Sequence, residues 1–291
     1  MNKPDGLQAF EQPLASLPHT LRQLILERIQ NLTHYEPLIG IMGKSGAGKS
    51  SLCNKLFRGE VSPVSDVNAC TRDVLRFRLR SGSHSLVIVD LPGVGENERW
   101  DREYRALYRR MLPELDLVLW VIKADDRALT VDEQFWHGVV RPYRQKVLFV
   151  VNQADKIEPC HEWDIAIGTP SPQQQVNLKA KQAAIMAMFK PHHPVCAVSA
   201  RTGWGIEDMV ANMMCCLPDR ATSPVVTQLQ GRFCTEPVKS QARDSFGEAV
   251  RRVFDTAESS SFLPAPLKTV IRTVRDAVVS VARAVWDWIF F

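Results

Sequence analysis

Residues 43–50 read Gly-Lys-Ser-Gly-Ala-Gly-Lys-Ser, and Gly43, Gly48, Lys49 and Ser50 satisfy the spacing G-x-x-x-x-G-K-[ST]. That spacing suits a polyphosphate. Glycines at 43, 46 and 48 let backbone N–H groups converge on phosphate oxygens without Cβ clashes. The helix that follows aims its positive end at the same oxygens. Gly43, Lys44, Ser45, Gly46, Ala47, Gly48, Lys49, Ser50 and Ser51 are therefore the candidate cradle. Within it, the Lys49 ammonium would reach the β- and γ-phosphates and the Ser50 hydroxyl would ligate Mg²⁺.

Such a loop needs a strand before it and a helix after it. Leu38-Ile39-Gly40-Ile41-Met42 supplies an apolar run upstream, and Ser51 to Phe57 has helical character. Further strand candidates fall at 74–80, 85–90, 117–122, 146–151 and 194–199, with helical patterns near 99–112, 131–139 and 176–189 between them. Capping boxes at Thr130–Glu133 and Ser171–Gln174 mark two helix starts. Strands alternating with helices, several of them apolar throughout, predict an α/β fold with a mostly parallel sheet covered on both faces. Residues 157–175 form a polar, Pro-containing insertion before one helix. Three regions result: an N-terminal helical extension over 1–35, a central domain over 36–217 and a C-terminal extension over 218–291.

Phosphate loops serve adenine and guanine nucleotides alike, so the base must be chosen elsewhere. Phe149-Val150-Val151 ends an apolar run and is followed by Asn152-Gln153-Ala154-Asp155, which resembles the N-K-x-D motif of guanine-nucleotide-binding proteins. A carboxylate at Asp155 can accept from guanine N1–H and the exocyclic amine together. Adenine lacks that donor pair and would leave a buried carboxylate unpaired, at about 1–3 kcal/mol. Gln153 stands where the motif has Lys. Asp90-Leu91-Pro92-Gly93 is a D-x-x-G at a strand's carboxyl end, where such sheets bind ligands. Val198-Ser199-Ala200-Arg201 resembles the S-A-K motif, with the Ala200 N–H facing the guanine O6 and Arg201 in place of Lys. Ala69-Cys70-Thr71-Arg72-Asp73 resembles a T-T-R-D segment, with Cys70 for the first Thr.

These motifs, in this order over residues 38–217, resemble the Era/EngA/TrmE branch of small GTPases, including bacterial ribosome-binding-type members. The resemblance implies a P-loop G domain with a six-stranded sheet, one strand of it antiparallel. It implies GTP/GDP and Mg²⁺ as cofactors, the metal held by Ser50, Thr71 and Asp90. Lys49, Thr71 and Gly93 would attend the γ-phosphate, and its loss on hydrolysis would release the segments carrying Thr71 and Gly93. Val94 follows that glycine and cannot orient a water, while Gly46 stands where some members use Asn to recruit potassium. Slow hydrolysis, accelerated by a partner or by self-association, is the expectation. Glu96, Asn97 and Glu98 are further candidates for orienting water. An ATP-dependent enzyme would require Asn152, Asp155 and Ser199-Ala200 to be coincidences.

The balance of 36 basic and 32 acidic residues, net +4, does not imply nucleic acid by itself. Seven cysteines without framework spacing point to a reducing cytoplasm. Over 267–289, Ile271, Val274, Val278, Val281, Val285 and Trp288 share one helical face, with Lys268, Arg272, Arg275 and Arg283 opposite. A basic amphipathic helix of this kind lies in a membrane interface or docks on its own domain. The first alternative would make the protein a peripheral, self-assembling GTPase of the septin or dynamin kind. Trp100, Tyr104 and Tyr108 recur at spacing four, as packing or as a partner surface. The effector, a protein or the ribosome, is not specified by these residues.

Overall fold

The computed structural model describes residues 6–63, 75–92, 98–259 and 264–291. Strands form from the apolar runs: β1 (Leu38–Met42), β2 (Glu60–Pro63), β3 (Leu75–Ser81), β4 (His84–Asp90), β5 (Leu117–Lys123), β6 (Val147–Asn152) and β7 (Cys196–Ala197). Among the described residues they make one sheet in the order β2-β3-β4-β1-β5-β6-β7. β1, β4, β5, β6 and β7 run parallel, and β3 is antiparallel to β4. The six expected strands are present, and β2 lengthens the edge by pairing antiparallel with β3. Its Pro63 is tolerated because an edge strand need not donate on both sides. β7 is shorter than its apolar run, since the backbone beyond Val198 leaves the sheet for the loop at Ser199.

Helices cover both faces: α1 (His19–Thr33), α2 (Lys49–Leu56), α3 (Glu98–Met111), α4 (Thr130–Phe135), α5 (Pro172–Phe189) and α6 (Ile206–Cys216). Side chains alternate along each strand. Ile39, Ile41, Leu117, Leu119, Val121 and Leu148 face one core, with α2 and α6. Met42, Val118, Trp120, Phe149 and Val151 face the other, with α3, α4 and α5. There Trp120 stacks on Phe149 at 5.0 Å, and Trp136 and Phe189 close around them. Ser171 caps α5 as its box predicts, accepting from the Gln174 N–H while the Gln174 amide accepts from Ser171. Thr130 does not cap. It is the first residue of α4, and Leu129 precedes the helix without a side-chain bond.

After residue 217 the described residues add no strand to the sheet and are mostly helical: α7 (Asp219–Gln228), α8 (Glu236–Glu258), α9 (Ala265–Ala284) and α10 (Trp286–Phe290). The Ser and Thr residues of α7 are loop-formers by type, yet within this helix their hydroxyls are satisfied. Thr222 and Thr227 hydroxyls donate to carbonyls three residues back, and Ser223 donates to Ala242 O. The apolar face of α9 is turned inward, with Ile271, Val274, Val278 and Val279 buried. Its basic residues pair with acids of α8, Arg275 with Asp255 at 3.0 Å and Arg283 with Glu248 at 3.1 Å. The stripe that a membrane would take is thus spent inside the molecule. The helix breaks at Val285, so Trp288, expected on the apolar face, is exposed, and Trp286 is buried in its stead. Among the described residues no helix is long and apolar enough to cross a membrane. One core holds residues of both extensions and of the sheet, from Phe10 and Ile25 through Leu119 to Phe246 and Trp286.

A buried carboxylate pins the extensions to the sheet. Asp116, just before β5, accepts from the Tyr35 hydroxyl at 2.8 Å, the Leu38 N–H at 3.1 Å and Arg220 at 3.1 Å. Burial, reinforced by the Asp116 charge, raises the Tyr35 pKa above its usual value, so the phenol stays a donor. Asp116→Ala removes the acceptor of three donors, the half-buried Tyr35 hydroxyl and Leu38 N–H and the more exposed Arg220. A loss of about 3 kcal/mol is expected in chemical denaturation, whereas an exposed acid such as Glu236 should cost almost nothing.

Candidate functional site

β1 delivers the chain to Gly43 at the carboxyl end of the sheet. A Cβ on Gly43 would stand 2.1 Å from Val121 O, and one on Gly48 2.5 Å from Asn152 Nδ2. Both have positive φ, +141° and +85°, so glycine alone fits the loop between β1 and α2. Lys49 folds back over this loop and donates to Gly43 O at 2.9 Å. Ser50 and Asp90 line one cavity of about 520 Å³ with Lys49. Asp90 Oδ1 is buried and, among the described residues, has no hydrogen-bond partner. Burial raises the Asp90 pKa, opposed by the Lys49 charge. A hydroxyl beside a desolvated carboxylate oxygen is a donor set that suits a hard divalent ion such as Mg²⁺. Cys53 lies below, its thiol pushed up to about 12 by burial and then by Asp90.

Asn152, at the end of β6, joins three loops. Its amide donates to Ala47 O at 2.9 Å, and its oxygen accepts from the Ala200 N–H at 3.1 Å. The phosphate loop, the Asn152–Asp155 loop and the Ser199–Arg201 loop therefore form one site. Asp155 is buried, one oxygen accepting from Ser199 Oγ at 2.7 Å and the other 3.1 Å from Arg201 Nε. The Arg201 side chain is 71% exposed, so its hold on the carboxylate is weak and readily exchanged for a base. Gln153, in place of Lys, donates to Gly46 O at 2.7 Å and accepts from Lys156 at 3.1 Å. The substitution thus preserves a tether between the base loop and the phosphate loop.

Lys44 departs from the simplest reading of the cradle. Its Nζ sits 3.0 Å from both Asp126 and Asp132, away from the loop's N–H groups, and only its backbone is free for phosphate. Burial alone would lower the Lys44 pKa, and the hydrogen bonds to Asp126 and Asp132 outweigh it and raise it. Nothing local in the sequence announces this clamp, because its acids lie about eighty residues downstream. Ser45 is exposed, and Ala47 is buried beneath the loop. Ser51 is exposed on the first turn of α2. Thr71, Gly93, Val94, Glu96 and Asn97 lie outside the described residues. Tyr108 of α3 is fully buried and donates to Pro92 O at 2.8 Å, so the aromatic series is packing at that position.

The sequence profile of a family described as a 50S ribosome-binding GTPase matches residues 38–153. Over its full length the chain is 55% identical to the uncharacterized protein YkfA of Escherichia coli (strain K12), covering 100% of each. It is 35% identical over 121 residues to the GTPase Der of Thermosipho africanus (strain TCF52B), covering 41% of this chain and 27% of that protein. Among solved structures, Aquifex aeolicus Era bound to GDP.AlF4- aligns with 78% of this chain and 69% of that one, at 18% identity and a TM-score of 0.46. With the phosphate loop, Asp90, Asn152, Asp155 and Ala200 gathered at one end of one sheet, residues 38–153 belong to the P-loop GTPases of the ribosome-binding type, a family whose general activity is GTP hydrolysis.

Proposed function

We propose that the chain binds GTP across the Asn152-bridged loops, hydrolyses it slowly to GDP and phosphate, and works as a switch whose state an effector reads. The observation that carries this reading is the pair of Asn152 bonds, to Ala47 O at 2.9 Å and from Ala200 N at 3.1 Å, which fixes the base-reading loops to the phosphate loop. In this reading Asp155 accepts from guanine N1–H and the exocyclic amine, and the Ala200 N–H turns to O6. Lys49 and the amides of residues 43–51 hold the phosphates, with Thr71 and Gly93 at the γ-phosphate. Ser50 and Asp90, with Thr71, would hold Mg²⁺, which supplies charge neutralisation at the β- and γ-oxygens. The Gln153 tether supports retention of affinity despite the missing Lys.

Slow turnover follows from Val94, which offers no hydrogen bond to a water. The effector class is the one the matching family's description carries, the ribosome. The alternative of assembly on a membrane is disfavoured because Ile271, Val274, Val278 and Val279 of α9 are buried. Calorimetry should show GDP and GTP binding in the presence of Mg²⁺ at least about 10²-fold more tightly than ADP and ATP. Unaided hydrolysis should stay well below one turnover per second. Equal affinity for GDP and ADP would sink the reading.

A further inference from the structure

Lys123 ends β5 on the ligand side of the sheet, paired in register with Asn152. Its Nζ lies 3.3 Å, and its Cε 3.5 Å, from the point where a Cβ on Gly46 would stand. The ammonium therefore rests against the phosphate loop, in the space that any side chain at position 46 would occupy. It is half-buried, and among the described residues it has no hydrogen bond or ion pair.

Three acids that follow β5 and β6 in the chain are already engaged. Asp126 and Asp132 are held by Lys44 at 3.0 Å each, and Asp155 by Ser199 and Arg201. The Gly46 carbonyl is taken by Gln153. An ammonium kept partly from water beside a cradle of N–H groups, with no counter-ion of its own, marks a place for an anion. Lys44 cannot serve there because its charge is neutralised. A triphosphate brings more negative charge than Lys49 and one divalent ion offset, and the charge that shifts among the β- and γ-oxygens in the transition state has to be neutralised.

We propose that Lys123 is a second phosphate-binding lysine. Resting on the guanine-nucleotide reading above, it contacts the phosphate chain of bound GTP from the Gly46 side of the loop. There it supplies, from within the chain, positive charge that other arrangements must borrow from a monovalent cation or a partner's side chain. The position is set by β5 and the loop alone, so the contact forms without closure of any other segment. Gly46 is thereby required for a second reason besides its φ of +71°: a side chain would displace the ammonium.

Full-length protein, Lys123→Met and Lys123→Arg should be compared with GDP, a non-hydrolysable GTP analogue and GTP in single-turnover assays, each in sodium and in potassium buffer. Lys123→Met is expected to keep the wild-type melting temperature, because the stem it retains fills the same space. It should lose about 10²-fold in hydrolysis rate, the loss seen when one preorganised donor to developing charge is removed. Its affinity for the triphosphate analogue should fall more than its affinity for GDP, and Lys123→Arg should recover most of both. Wild-type rates should be equal in the two salts. Wild-type behaviour of Lys123→Met, in a protein that does bind and hydrolyse GTP, overturns the lysine's role and leaves the GTPase reading standing. A potassium-dependent wild-type rate overturns it too, since the charge would then come from the ion. A wild type that binds no guanine nucleotide brings down both.

Discussion

Asp155→Asn should convert the site from guanine to xanthine nucleotides. The carboxylate presents two acceptors, matched to the N1–H and the exocyclic amine of guanine. An amide in the same shape presents one acceptor and one donor, which fit the N1–H and the C2 oxygen of xanthine. Asp155 is buried, so a mismatched pair cannot fall back on water. GDP affinity is expected to fall about 10²-fold or more, with xanthosine diphosphate rising by a similar factor in competition calorimetry. The exchange should leave the fold intact. Ser199 Oγ can still donate to the amide oxygen, and the exposed Arg201 can turn to solvent. Loss of GDP binding without any gain for the xanthine nucleotide would mean that position 155 supports the loop and does not read the base.

Trp286→Ala is expected to destabilise the chain by about 3–5 kcal/mol, read from the midpoint of urea unfolding at unchanged slope. Trp286 is fully buried in the core shared by the C-terminal helices and the sheet. Its indole N–H donates to Ser223 Oγ at 2.8 Å, and its ring packs 5.7 Å from that of Phe290. Most of the loss comes from the cavity, because Ser223 keeps its bond to Ala242 O at 3.2 Å. Trp286→Phe should therefore recover the greater part of the stability. Trp288→Ala, at an exposed position two residues on, serves as the control and should cost well under 1 kcal/mol. Equal effects at 286 and 288 would contradict the inward docking of α10.

Much of this site can be read in the chain before any coordinates. Gly43 to Ser50 constrains its own backbone, and Asp90, Asn152 and Ser199 each sit where an apolar run ends, so local chemistry and strand pattern place them together. What escaped reading depends on distant pairing. Lys44 looks like any lysine of a phosphate loop until β5 and α4 bring Asp126 and Asp132 to it. Lys123 reads as the polar end of a strand, and its approach to Gly46 exists only once β1 and β5 are adjacent. β2 is four residues long with a proline, too short for an alternating pattern to declare itself. The Ser and Thr of α7 resemble a loop by type, yet Thr222 and Thr227 bond back within the helix and Ser223 reaches Ala242 O on α8, a partner that no local pattern shows. Thr130–Glu133 fits a cap by type, but Asp132 is drawn to Lys44, Glu133 lies beside His137, and the helix starts one residue early for the box.

The two extensions meet. A Cβ on Gly6 would stand 2.8 Å from Ile289 Cγ1, and His84 of β4 lies 3.1 Å from the Ile289 carbonyl. The first described turn, the final one and the β3–β4 hairpin thus share a single seam. Neither extension can peel away without uncovering apolar surface belonging to the other. The sheet that carries the candidate site shares its core with both flanks, so loosening of that seam uncovers apolar surface on the sheet as well.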